Sequence, residues 1–322
     1  PAEFTHLTHR SMLSFLSRQG RGLVLATLAP TFSLALSSPF LASAPAGAQQ
    51  VRTQGTTYAS SGQNVLASRS PGAVDPLTGV RSRMQKDWIG LRTVDPNTPI
   101  LVMAGHADSQ GIAGSGTSGE AVGVLGAAPM MQGITDEHYW NLVLAHAVAT
   151  LGRARGLRID FYKPPVRTIL DPDHPGTNWS VGRQHALSDG YAFEIHFDAY
   201  GSSGVGSGLI PPLHRPFSRI DESLAQEFGA YPMNFRDRLG GPKRGVAILE
   251  LGKLEGRLEA SLRDPRTRQR TVQLLAQRVV QALEIGLGRR SDVRPAAQVS
   301  SPPATLRNGS PVTRLPASFV GE

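Results

Sequence analysis

The sequence predicts an α/β fold, a single domain with a largely parallel twisted sheet flanked by helices. Three observations predict it. Short apolar runs recur through residues 99–288, at PILVMA (99–104), LRIDFY (157–162), YAFEIHFDA (191–199) and GVAILEL (245–251). Between them lie segments whose apolar residues fall at helical spacing. The 322 residues include no Cys, which excludes disulfides, Cys-based metal sites, iron–sulfur clusters and thiol nucleophiles.

Taken in order, Pro99–Ala104 ends in Gly105-His106, the pattern of a buried parallel strand with a loop at its carboxyl end. Residues 107–134 are rich in Gly, Ser and Ala and read as a long loop. Thr135-Asp136 can cap a helix, in which Trp140, Val143, Leu144, Ala147, Val148 and Leu151 form one stripe. Glu137 shares that stripe in the first turn, and Gly156 is placed to end the helix. Leu157–Tyr162 is a second strand, stopped by Pro164-Pro165; residues 163–183 read as loop and 183–189 as a short helix. In 191–199, Tyr191, Phe193, Ile195 and Phe197 share one face, and Ala192, Glu194, His196 and Asp198 the other. Residues 200–217 read as a mobile loop, followed by a helix near 219–228. The strand 245–251 carries one acid, Glu250, near its end, and Val272, Leu275, Ala276, Val279 and Leu283 make 266–287 a closing helix.

The flanks differ in composition. In residues 1–48, Met12 is a plausible start; Arg18 and Arg21 then precede an apolar stretch of small residues ending in Ala44-Pro45-Ala46 and Ala46-Gly47-Ala48. That is the three-part pattern of an export signal, with a cut expected after Ala48. Pro30 and Pro39 interrupt the run, so no stable transmembrane segment is expected after processing. Residues 49–98 read as a linker and a lead-in, with Trp88, Ile89 and Leu91 docking on the body, and 289–322 as a disordered basic Pro/Ser-rich tail. The net charge is +8, but the excess sits at the two ends and the body is close to neutral. A nucleic-acid partner is therefore not expected.

Ligand sites in parallel sheets lie at the carboxyl ends of the strands. His106 follows one strand end, Glu250 is near another, His196 is in the second half of a third, and Glu137 opens a helix at the same edge. Two His and one carboxylate supply three zinc ligands and leave a fourth position for water. A further Glu near that water can take its proton and pass it to a leaving amine. As bland alternatives, a strand His is commonly a hydrogen-bonded core residue, and an acid in a first turn complements the helix end. An isolated acid in VAILEL must be paired or functional.

This ordered set resembles the zinc-dependent N-acetylmuramoyl-L-alanine amidases of bacterial peptidoglycan. Gly105-His106 is similar to that family's Gly-His after the first strand. Glu137 with Asn141 matches a Glu opening the first helix and followed four residues later by Asn; FEIHFDA supplies the His of an apolar strand and ILELG the late Glu. There are departures: Ala107 stands where Gly is usual, Asp198 where Asn is common, and the longer loop before Glu137 contains a rival acid, Glu120. The resemblance implies zinc held by His106, Glu137 (with Glu120 as the alternative) and His196, and Glu250 as general base and then acid. It further implies peptidoglycan as the partner, cleavage at L-alanine, and a periplasmic or envelope location. Glu194 and Asp198 either orient the ligands or form a solvated edge. His138, His146, His174, His185 and His214 are assigned to core or surface. Two other functions stay open: a related zinc exopeptidase, which needs an Arg near the site to capture a free carboxylate (Arg167, Arg183 or Arg215), and a metal-free binding protein on the same fold.

Overall fold

The computed structural model describes residues 69–213, 215–235 and 240–290. These all belong to the second of two units into which the chain divides, Gln63–Glu322. The leader, most of the linker, His214 and the tail beyond residue 290 lie outside the described residues.

The lead-in forms a small antiparallel pair, β1 (Val74–Asp75) and β2 (Gly79–Val80). Trp88 docks as expected: it is buried, and its indole N–H donates to the Tyr231 carbonyl at 2.8 Å. Ile89 and Leu91 do not dock and are 66% and 75% exposed. The intervening Gly90 takes the contact instead, its N–H donating to the Glu222 carboxylate.

Next come β3 (Ile100–Ala104), α1 (Glu120–Gly123), α2 (Asp136–Ala154), β4 (Ile159–Tyr162), α3 (Asn178–Leu187) and β5 (Tyr191–Asp198). β6 (Gly208–Ile210), α4 (Arg219–Phe228), α5 (Gly240–Lys243), β7 (Ala247–Lys253), α6 (Gly256–Arg263) and α7 (Arg268–Gly286) complete the unit. The sheet order is β4-β3-β5-β7-β6, parallel except for β6, which runs antiparallel to β7. The fold is thus mixed α/β with a mostly parallel five-stranded sheet flanked by helices.

The two faces of the sheet are packed unequally. One carries Ile100, Val102, Phe193, Ile195, Phe197 and Leu249 against Trp140, Leu144 and Val148 of α2 and Leu275, Val279 and Leu283 of α7. Fully burying an apolar side chain of this kind contributes about 1.5–3 kcal/mol, so this face supplies most of the drive to fold. The other face has two small apolar clusters: Leu101, Met103, Ala192 and Val246, with Val181 of α3 packed against them, and Ile210, Tyr231 and Ile248. Glu194, His196 and Glu250 lie on this thinly covered face toward the carboxyl edge, all buried.

Several element limits differ from expectation. The helix expected at 183–189 begins at Asn178, because the Thr177 hydroxyl accepts from Ser180 N–H and caps it. The loop expected at 200–217 contains β6, which pairs with β7 on one side and through Leu209 with Gly229 and Tyr231 on the other, rather than following any local pattern. Arg289, placed by expectation in the tail, is anchored through its guanidinium to the Gly156 carbonyl.

α1, the loop after it and the start of α2 are held on α6 by polar contacts. Gly256 N–H donates to Glu120, Ala121 N–H donates to Glu259, and Arg263 binds both Asp136 and the Ala128 carbonyl. Burial pushes the Glu259 carboxyl up to about 7, against the Ala121 N–H and Arg263, which favour ionisation. Its folded value exceeds its ordinary 4.5, so the folded state holds the extra proton and stability falls as pH rises between those values. Glu259→Gln is therefore expected to melt above the parent at about pH 8, with the advantage shrinking toward pH 5. An advantage of equal size at both pH values would refute the assignment.

Candidate metal centre

His106, Glu137 and His196 come from a strand end, a helix start and the central strand, yet their donor atoms all lie within 4.8 Å of one another. Glu137 Oε1 is the common point: it is 3.1 Å from His196 Nδ1 and 3.3 Å from His106 Nε2. The imidazole rings meet edge to face with centroids 4.8 Å apart.

Each group is aimed by its own local structure. The Thr135 hydroxyl caps α2 through His138 N–H, which sets Glu137 in the first turn. Glu137 Oε2 then accepts from Thr117 N–H at 2.7 Å, leaving Oε1 toward the imidazoles. Asn141, one turn on, donates to the Gly105 carbonyl at 3.1 Å and lies 3.4 Å from Glu137 Oε1. His106 adopts a left-handed backbone, φ 61°, sparsely populated by residues other than Gly and Asn. Gln110 holds that turn in place. Its amide donates to the His106 carbonyl and accepts from Thr135 N–H, tying the His106 loop to the start of α2. His106 Nδ1 is bound to the Ser115 hydroxyl at 3.0 Å.

Gly105 is required by close approach. A Cβ there would overlap the His196 ring. Gly105→Ala is expected to displace His196 and to weaken metal binding by at least tenfold, measured by chelator competition; unchanged affinity would show that the ring has room to move.

Electrostatics couple the three groups. Burial pushes the Glu137 carboxyl up, but the His106 and His196 imidazoles outweigh it and hold the group well below its ordinary range. Burial pushes His196 down, and Glu137, Glu194 and Glu250 together reverse this and raise it well above its ordinary value. Among the described residues, no Lys or Arg pairs with Glu137 or Glu194. Buried negative charge with only imidazoles to offset it suits a cation, and two imidazole nitrogens with one carboxylate oxygen are a fitting donor set.

Glu250 lies directly across from His196 in the β5–β7 register, 7% exposed, and is outside the three-donor group. Glu120 is elsewhere, accepting from Gly256 N–H at the start of α6. Glu194 and Asp198 are both buried, so neither is a solvated edge. Asp198 builds the turn after β5, accepting from Ala199, Val205 and Gly206 N–H groups. Glu194 accepts from Asn178 and faces His196. Arg215 touches the Gly190 carbonyl at the start of β5, the edge opposite the His106/Glu137/His196 cluster. His138 is buried, with burial lowering it to about 4; His146 and His174 are exposed, and His185 is half-buried with its ring at the Pro99 carbonyl. Ser115, Gln110 and Asn178 were not singled out in the sequence. Of these only Asn178 had a local signal, the Thr177 cap before it.

Fold and site together define a mixed α/β protein with a His/Glu/His cluster compatible with a metal ion at the carboxyl edge of its sheet. No protein-family profile matches the chain, and no curated protein matches it. Solved structures similar to it include the catalytic domain of the CD27L endolysin targeting Clostridia difficile, at 18% identity and TM-score 0.37, covering 58% of this chain and 96% of that one. The catalytic domain of CwlV, an N-acetylmuramoyl-L-alanine amidase from Bacillus (Paenibacillus) polymyxa, is 17% identical with TM-score 0.41, covering 60% and 99%. The N-acetylmuramyl-L-alanine amidase Ami1 from Mycobacterium smegmatis is 15% identical with TM-score 0.40, covering 62% and 100%.

Proposed function

We propose that this chain is a zinc-dependent amidase of bacterial peptidoglycan, cleaving the amide between the lactyl group of N-acetylmuramic acid and L-alanine. The observation that carries the reading is the convergence of His106, Glu137 and His196 with Glu250 beside them in register. His106 Nε2, Glu137 Oε1 and His196 Nδ1 are the atoms that would hold zinc. Bound there, zinc would polarise the amide carbonyl and lower the pKa of water.

The chain's own residues supply the proton chemistry. Glu250 accepts the proton of the attacking water and returns it to the leaving nitrogen of L-alanine, so that the amine departs neutral. Its buried position beside the donor group keeps competing solvent away from that proton. Ser115 and Thr117 hold His106 and Glu137 against rotation while charge builds on the carbonyl oxygen. The described part of the chain has no helix long and apolar enough to cross a membrane, and the apolar leader before Gln49 accords with export to the cell envelope.

Incubating the purified chain with peptidoglycan, with and without zinc, tests the reading. New amino-terminal L-alanine and intact glycan strands are expected only with metal. Release of free carboxyl-terminal amino acids from the peptide stems, with L-alanine still attached to the glycan, would instead establish an exopeptidase.

A further inference from the structure

Glu194 is an unusual residue for its position. It is 3% exposed in the middle of the central strand, two residues before His196 and on the same face. An ionised carboxylate in such surroundings must be paired or hydrogen-bonded. Its Oε1 accepts from the Asn178 side-chain amide at 2.9 Å, and its Oε2 lies 3.6 Å from His196 Nε2. That nitrogen is itself buried and has no hydrogen-bond partner, while the opposite ring nitrogen faces Glu137. His196 therefore sits between two carboxylates, one on each nitrogen.

Asn178 is fully buried, and its position explains why Glu194 points this way. It is the first residue of α3, and its backbone N–H donates to Asp108 at 2.7 Å. Its side-chain amide nitrogen donates both to Glu194 and, at 2.7 Å, to the carbonyl of Ala104, the last residue of β3. One amide thus joins the carboxylate behind His196 to the strand end that leads into His106.

We infer that Glu194, held by Asn178, is a positioning residue that accepts the Nε2–H of His196 and so keeps the Nδ1 lone pair directed at the metal position. The inference rests on the metal-site reading above. A ligating imidazole can offer a lone pair from one nitrogen only if the proton is on the other, and an acceptor there fixes tautomer and ring angle together. His106 has its own counterpart in the Ser115 hydroxyl at Nδ1. The two ligands are therefore steadied differently, a neutral hydroxyl on one and a carboxylate on the other.

The experiment uses the full chain and zinc alone as the probe. Zinc affinity is measured by chelator competition for the parent, Glu194→Gln and Glu194→Asp, together with the melting temperature of each metal-free protein and the ¹⁵N shifts of the His196 ring. Glu194→Gln keeps the shape and can still accept from Asn178, but it removes the charged acceptor. Zinc affinity is expected to fall by about 10–100-fold, the usual effect of losing such a partner. The metal-free melting temperature should stay near the parent's, and the ring shifts should move toward a mixture of tautomers. Glu194→Asp keeps the charge but withdraws it from the ring, and should lose affinity with the fold intact. If Glu194→Gln fails to fold, this second variant decides. Parent-like affinity and ring shifts in a folded variant would overturn the inference while leaving the metal site standing. A parent that binds no zinc would overturn both.

Discussion

His196→Ala and His106→Ala are each expected to take the zinc content of the purified protein to near zero and hydrolysis of peptidoglycan to background. This is the expected result if the three donors act as one site, because two remaining ligands hold zinc far more weakly than three. Glu137→Ala behaves in the same way. Glu120→Ala does not, since that carboxylate is spent on Gly256 N–H and the docking of α1. Elemental analysis of all four variants decides the matter. Stoichiometric zinc in both histidine variants would remove the site, and loss of zinc in the Glu120 variant alone would move the carboxylate ligand to that residue.

Glu250→Gln separates metal binding from proton transfer. The amide keeps the shape of the carboxylate but cannot take a proton from water. Hydrolysis is expected to fall by about 10²–10⁴-fold, the usual contribution of a positioned general base, with zinc content and melting temperature near those of the parent. A purely structural acid predicts the opposite pattern. Neutralising one partner of a buried ion pair leaves the other uncompensated and costs about 3–5 kcal/mol. Full activity in the Gln variant would take Glu250 out of the mechanism.

The elements legible in the sequence are those whose burial is one-sided and regular. The stripe from Trp140 to Leu151 marks α2 because that helix lies with one face on the sheet. The alternation in 191–199 assigns faces to β5 correctly, although both faces are buried in a central strand. β6 left no such mark: its three residues are made a strand by β7 and by the segment 229–231, not by their own pattern. α6 went unseen for a related reason. Half of its eight residues are polar, and it buries only Leu258, Glu259 and Leu262.

The same division runs through the site. Sequence alone determined the order of chemistry-bearing residues and the sheet edge on which they meet, because alternating strands and helices imply a parallel sheet and helix phase follows from local periodicity. It could not separate Glu194 from Asp198, which share one face of one strand. Tertiary structure separated them: Asp198 meets three backbone N–H groups of the turn that follows it, and Glu194 meets an amide from α3 and a histidine ring. Distance along the chain did not choose Glu137 over Glu120; helix phase and Asn141 favoured Glu137, and in the structure Glu120 accepts from α6 while Glu137 lies beside His106. A carboxylate's role is set by the donor its oxygens meet, and those donors come from residues distant in sequence, brought near only when the sheet and its helices pack.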